Sequence, residues 1–256
     1  MSPGTVPSTE GGGREARSAI RDAASHGRLW LVCGTAVALD LWSKHWVFAH
    51  LGPRDTLHVI PGVLDLQRTL NAGAVFGALA GFSGLFVVAT IFALGAALFI
   101  FSGCSARHRS THVALGLILG GALGNLYDRA VSVADVVTLA PRRGTGERVD
   151  IGTVVDRTPI QTKLVDWPDG DNPRTYASPR VLSVERKGVV RDFIRFVPKF
   201  PGWVPKFGGR DIWPWVFNVA DAVLVCGVAI LVSQIWFDRR PRRSAATSDP
   251  LPPAPA

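Results

Sequence analysis

The sequence predicts a membrane-embedded, all-α fold: a bundle of four transmembrane helices with a small extracytoplasmic β-rich portion and an extra extracytoplasmic insertion. Three observations predict it. The chain is 47% hydrophobic although it carries 28 Lys+Arg in 256 residues, and its mean hydropathy is +0.22. Hydropathy and charge are segregated into blocks, as in an integral membrane protein. Uncharged stretches approach or exceed the roughly 20 residues that cross a bilayer.

Taken in order, residues 1–27 are polar and rich in Gly, Ser and Ala. They read as a cytoplasmic tail, because no A-x-A-like site follows the first apolar run. The first span covers about 29–48 and carries Asp40 and Lys44, at the i,i+4 spacing of a structural helical ion pair. Thr56–Ile60 and Val63–Thr69 follow as strand-like pieces around Pro61-Gly62. The second span, about 82–102, lies within 38 uncharged residues between Arg68 and Arg107. The third, about 111–128, lies in an 18-residue stretch, Ser110–Tyr127, with Gly116, Gly120 and Gly124 at every fourth position. That repeat reads as close helix packing within a monomer. Residues 131–187 form the insertion, with β-branched runs at Val149–Val155, Gln161–Val165 and Arg180–Val184. The fourth span, about 212–236, sits in 26 residues whose one charge is Asp221. The Arg/Pro/Ala-rich tail 238–256 reads as disordered.

With four spans, the clusters Arg14/Arg17/Arg21/Arg28, Arg107/Arg109 and Arg239/Arg240/Arg242/Arg243 share one side. The positive-inside rule makes it cytoplasmic, with both termini. Segment 130–211 holds fourteen Lys/Arg against ten acids, but it is long enough to cross regardless of charge. The net charge of +8 therefore belongs to membrane flanks and anionic lipid rather than to nucleic acid. Cys33, Cys104 and Cys226 read as small packing hydrophobes. The six histidines form no set, no H-E-x-x-H occurs, and neither metal nor cofactor is expected.

This topology gathers polar residues at one level. Asn71 and Gly73 enter the second span, Asn125 and Asp128 end the third, Asp192 lies outside, and Asp221 sits about 13 Å of helix below Ile212. Asn218 and Asp221 share a helix face at i,i+3. Two carboxylates in one site cannot both ionise cheaply, so the pair offers a base and an acid at one pH. That suits amide hydrolysis: one takes a proton from water, the other hydrogen-bonds the scissile carbonyl. No G-x-S-x-G elbow or Ser-His-Asp order offers another nucleophile.

Five motifs in order now carry a resemblance: Asp40-Leu-Trp-Ser-Lys44, Asn71-Ala-Gly-Ala-Val-Phe76, Gly120 to Arg129 (GGALGNLYDR), Gly188-Val-Val-Arg-Asp-Phe-Ile194 and Phe217-Asn-Val-Ala-Asp221. Together they resemble the bacterial lipoprotein signal peptidase (signal peptidase II) family. The resemblance implies a four-span aspartic endopeptidase of the cytoplasmic membrane that cuts prolipoproteins just before a diacylglyceryl-modified cysteine. It implies Asp192 and Asp221 as catalytic, with Asn71, Gly73, Asn125, Asp128, Arg129 and Asn218 in support. Lipid-modified prolipoproteins and membrane lipid would be its partners, with the active site near the outer leaflet.

Two features depart from the family pattern. Some 58 residues, Ala130 to Lys187, separate Asp-Arg from Gly-Val-Val-x-Asp, and Arg191 precedes Asp192. Pairing of those two would keep Asp192 ionised and make it the base. Replacing 131–187 by a short linker is expected to leave some cleavage. The rival readings are a proton- or ion-coupled transporter relaying through Asp40, Asp128 and Asp221, and a non-catalytic scaffold. Trp213 and Trp215 read as interfacial belt residues.

Overall fold

The computed structural model describes residues 17–73, 83–141, 147–168 and 170–238. The expectations for residues 1–16, for the end of the second motif (Ala74, Val75 and Phe76) and for the tail beyond 238 fall outside that range. In chain order the elements are α1 (Ala23–His50), β1 (Leu57–Ile60), β2 (Leu64–Asn71), α2 (Ser83–Gly103), α3 (Arg109–Val131), β3 (Val133–Leu139), β4 (Arg148–Arg157), β5 (Gln161–Val165), β6 (Arg174–Ala177), β7 (Val181–Gly188), β8 (Val190–Phe196), β9 (Val216–Phe217) and α4 (Val219–Asp238). α1 starts where the Asp22 carboxylate accepts the Ser25 N–H at 2.8 Å, an N-cap that satisfies one of the orphan donors of the first turn.

This architecture overturns the all-α membrane bundle. Among the described residues no helix is long and apolar enough to cross a membrane. The strands form two antiparallel sheets, ordered β1-β2-β8-β9 and β6-β5-β4-β3-β7, so the fold is α+β. Two features of the chain explain the difference. α1 and α3 draw Asp40, Lys44, Asn125, Asp128 and Arg129 into helix, which lowers their hydropathy. The fourth helix starts at Val219 rather than near 212, because Val216–Phe217 pairs with β8 as a strand. The helical layer is nevertheless apolar outside and charged inside. Leu31, Phe92, Phe99 and Trp236 are exposed while Asp40, Lys44 and Asp128 are fully buried.

α3 is central and packs against α1, α2 and α4. Its glycines set the spacing. A Cβ on Gly116 would lie 2.8 Å from the Leu29 carbonyl, one on Gly120 2.6 Å from Ala36 Cβ, and one on Gly124 2.5 Å from Asp40 Oδ2. The Gly116–Gly120–Gly124 stripe is thus a seam against α1, where backbone must approach closely.

Strands β3 to β7 form the five-stranded sheet. Run 149–155 lies inside β4, 161–165 is β5, and 180–184 overlaps β7. The insertion is welded to the rest of the chain. Its Ala134 and Val136 bury Ala72 and Val189, with Leu70, Val149, Ile151 and Trp167 packed around them. Arg68 adds a latch: it donates to the carbonyls of Leu51 at 3.1 Å and Trp167 at 2.7 Å, and lies over the Phe48 ring. Ala72 follows Asn71 and Val189 precedes β8, so this core positions both strands that carry the candidate site. The packing changes the expectation for a trimmed chain. Replacing 131–187 by a short linker should uncover Ala72 and Val189 and reduce cleavage to the detection limit, checked by processing assays on a variant that still folds by circular dichroism.

Candidate active site

Asp192 lies on β8, opposite Thr69 of β2, and is 2% exposed. Its Oδ2 accepts from Asn71 Nδ2 at 2.9 Å and its Oδ1 from Asn218 Nδ2 at 2.6 Å. Asn71 is itself aimed by a turn, since its Oδ1 accepts the Gly73 N–H at 2.8 Å. Gly73 has φ +86°, a conformation glycine adopts without steric cost.

Asp221 sits in the first turn of α4, not deep in a span. Asn218 is the residue before the helix, and the two make a reciprocal pair. The Asp221 N–H donates to Asn218 Oδ1 at 3.0 Å, and the Asn218 N–H donates to Asp221 Oδ2 at 3.2 Å. This is a capping box, in which two helix-start donors are satisfied at once. Asp221 Oδ1 also accepts from Asn125 Nδ2 at 2.8 Å.

Asn218 is the hub. It is fully buried, and its Nδ2 donates to both Asp192 Oδ1 and Asn125 Oδ1, the latter at 3.1 Å. Its one amide therefore touches both candidate acids and the asparagine that orients one of them. Every donor of Nδ2 is used.

Behind this layer lies a buried charged cluster. Lys44 Nζ contacts Asp40 Oδ2 at 2.7 Å, Asp128 Oδ2 at 3.2 Å and Asn125 Oδ1 at 3.1 Å. Three acceptors match the three donors of an ammonium. Asp40 Oδ1 accepts the Ala220 N–H at 2.8 Å, so α1 also caps α4. Asp40 and Lys44 form the i,i+4 pair, but as part of a network that reaches Asn125.

Arg191 does not pair with Asp192. It grips Asp128, with Nη2 at 2.6 Å and Nε at 3.1 Å from Oδ1 and its backbone N–H 2.9 Å from Oδ2. The reason is strand alternation: neighbours on β8 point to opposite faces. Arg129, at the end of α3, is half-buried and exerts its charge on Asp192, Asp221 and Asp128. Its neighbour across the fold is Gly188, where any Cβ would strike the Arg129 backbone carbonyl.

Asp192 is pushed up from an ordinary carboxyl value of 3.8 to about 7. Burial is the main cause and the charge of Asp221 the next; bonds from Asn71 and Asn218 and the charge of Lys44 oppose it. Arg191 is bound to Asp128 and not to Asp192, so the pairing that would have lowered the Asp192 carboxyl is absent among these contacts, and burial with the Asp221 charge raises it instead. The folded protein keeps a proton here that the unfolded chain releases near pH 4. Stability from this group therefore falls as pH rises from about 4 to about 7. If the neutral form is needed for turnover, kcat/KM should fall about tenfold per pH unit above 7, as read from a pH–rate profile.

Both aspartates line one cavity of about 590 Å³, with Asn71 and Ala72 on one side and Trp213, Pro214, Trp215 and Phe217 on the other. Of that aromatic wall the motifs mark only Phe217; Trp213, Pro214 and Trp215 lie outside them. Of the ten expected site residues, Asn71, Asn125, Asn218, Asp192 and Asp221 form one hydrogen-bonded set, and Asp40, Lys44 and Asp128 stand behind it. Gly73 acts through Asn71, and Arg129 through charge. Among the described residues no group of three or more His, Cys, Asp or Glu is arranged to hold a metal ion.

Comparison with known proteins gives the class first. Residues 32–237 match the family model of signal peptidase (SPase) II, so the chain belongs to that family and is a protease. The lipoprotein signal peptidase of Streptococcus thermophilus is 37% identical over 200 residues, covering 78% of this chain and 86% of that protein. The lipoprotein signal peptidase of Desulfitobacterium hafniense is 25% identical over 217 residues, 84% of this chain and 98% of the other. Two solved structures described as a bacterial membrane enzyme share the fold. Their TM-scores are 0.53 and 0.52, at 22% and 21% identity, over 83% and 88% of this chain and 94% and 95% of theirs.

Proposed function

We propose that this peptidase is an aspartic endopeptidase acting at the bacterial membrane on diacylglyceryl-modified lipoprotein precursors, cutting just before the lipidated cysteine. The observation that carries the reading is that Asp192 and Asp221 line one cavity and are both held by the single Asn218 side chain and backbone. In this reading Asp221 takes a proton from a water molecule whose oxygen bonds to the scissile carbonyl carbon. Asp192, carrying its proton, hydrogen-bonds the carbonyl oxygen and stabilises the charge that develops there. The C–N bond then breaks as the amine nitrogen receives the proton from Asp221, and both carboxyl groups return to their starting states. Asn71, Asn125 and Asn218 keep the acids aimed, and the Asp40–Lys44–Asp128 cluster anchors Asn125.

The apolar outer surface of the helices supports work beside lipid, and the aromatic wall of the cavity suits a substrate tethered there by acyl chains. A transporter relay is poorly served, since Asp40 and Asp128 are both committed to Lys44. The test is incubation of purified protein with a diacylglyceryl prolipoprotein. Mass spectrometry should find a product beginning at the modified cysteine; an intact substrate, or a cut elsewhere, would refute the reading.

A further inference from the structure

A second cavity, of about 320 Å³, lies between β2 and the insertion sheet. Thr69 and Leu70 line it and also line the cavity of the acid pair, so the same two residues of β2 form a wall of both. β8 pairs with β2 along one side up to Asn71. On the other side β1 pairs with β2 only as far as Leu66. Among the described residues no strand carries that pairing on to Thr69 and Leu70, and an unpaired strand edge is a template for an extended peptide.

The two cavities differ in chemistry. The first presents Trp213, Pro214, Trp215 and Phe217. The second presents four charges, Arg68, Asp150, Asp166 and Arg174, beside Trp167. Arg174 stands at the centre, with Nε 3.3 Å from Asp150 Oδ2 and Nη2 2.8 Å from Asp166 Oδ1. A peptide that crosses from one to the other passes from an apolar environment to a polar, charge-balanced one.

Resting on the proposed peptidase activity, we propose that the insertion supplies a second substrate subsite, which holds the first hydrophilic residues of the mature segment, on the carboxyl side of the cut, as an extended strand along Thr69 and Leu70. The signal-peptide side and the acyl chains stay with the aromatic wall. The 131–187 segment then acts as a reader of mature sequence.

Two diacylglyceryl substrates with one signal peptide test this: one ends at the modified cysteine, and one continues for six residues, a reach of about 20 Å. Wild-type protein should cut the longer with kcat/KM about tenfold higher. Equal rates would overturn the proposal; failure to cut either would instead remove the peptidase reading on which it rests. Arg174→Gln should shift preference about fivefold toward mature segments bearing Lys over those bearing Glu, and Asp150→Asn should shift it the opposite way. Rates on the short substrate should not change in either variant. A uniform slowing of all substrates by both variants, with no change of preference, would also overturn the subsite.

Discussion

Asp192→Asn and Asp221→Asn should each lower kcat/KM by a factor of about 10³–10⁴. Each substitution removes an exchangeable proton site while keeping nearly the same shape. It also spoils a bonding pattern. Asp192 offers two acceptor oxygens to two amide donors, Asn71 and Asn218; an asparagine there has one oxygen and would turn an NH₂ toward a second NH₂. Asp221 likewise accepts from Asn125 and from the Asn218 backbone. The double variant should be little worse than either single one, because members of one catalytic unit fail together. Processing of a diacylglyceryl prolipoprotein supplies the rates, and thermal unfolding shows whether each variant is folded. A folded single variant that cuts within tenfold of wild type would remove that acid from the reaction.

Lys44→Met should be the most destabilising single change, by about 3–5 kcal/mol, the usual cost of leaving a buried partner uncompensated. Lys44 is fully buried and is the cation between Asp40 and Asp128. Asp128 keeps Arg191, whereas the Asp40 carboxylate keeps the Ala220 N–H of α4, a neutral donor. Charge balance makes the prediction sharper: adding Asp40→Asn to Lys44→Met removes the surplus negative charge and should recover part of the loss. Denaturant midpoints of the single and double variants provide the measurement. Equal stability of wild type and Lys44→Met would mean that the cluster contributes nothing net.

Some of this was legible in the chain. Asp40 and Lys44 announce themselves by spacing, and the β-branched runs of β4, β5 and β7 by composition. Other parts needed the fold. β3 (Val133–Leu139) carries Asp135 and Thr138 within it and is not among the β-branched runs that composition marks. The partner of Arg191 follows from strand alternation, which is visible only once residues 190–196 are known to be a strand. The start of α4 is encoded locally. Asn218-x-x-Asp221 has the spacing of a helix-start signature, yet a long uncharged run suggested that the helix had begun earlier. The fourth expected span departs from the structure for a related reason: part of its uncharged length is β9 and connecting chain rather than helix.

The capping box has a temporal meaning. Asn71, Asn125 and Asp192 leave the ribosome well before residue 218, yet none can complete the constellation without the arriving C-terminal segment. On the proposed catalytic reading, nucleating the last helix also completes the site. A nascent or truncated chain that stops short of Asn218 should therefore be inert.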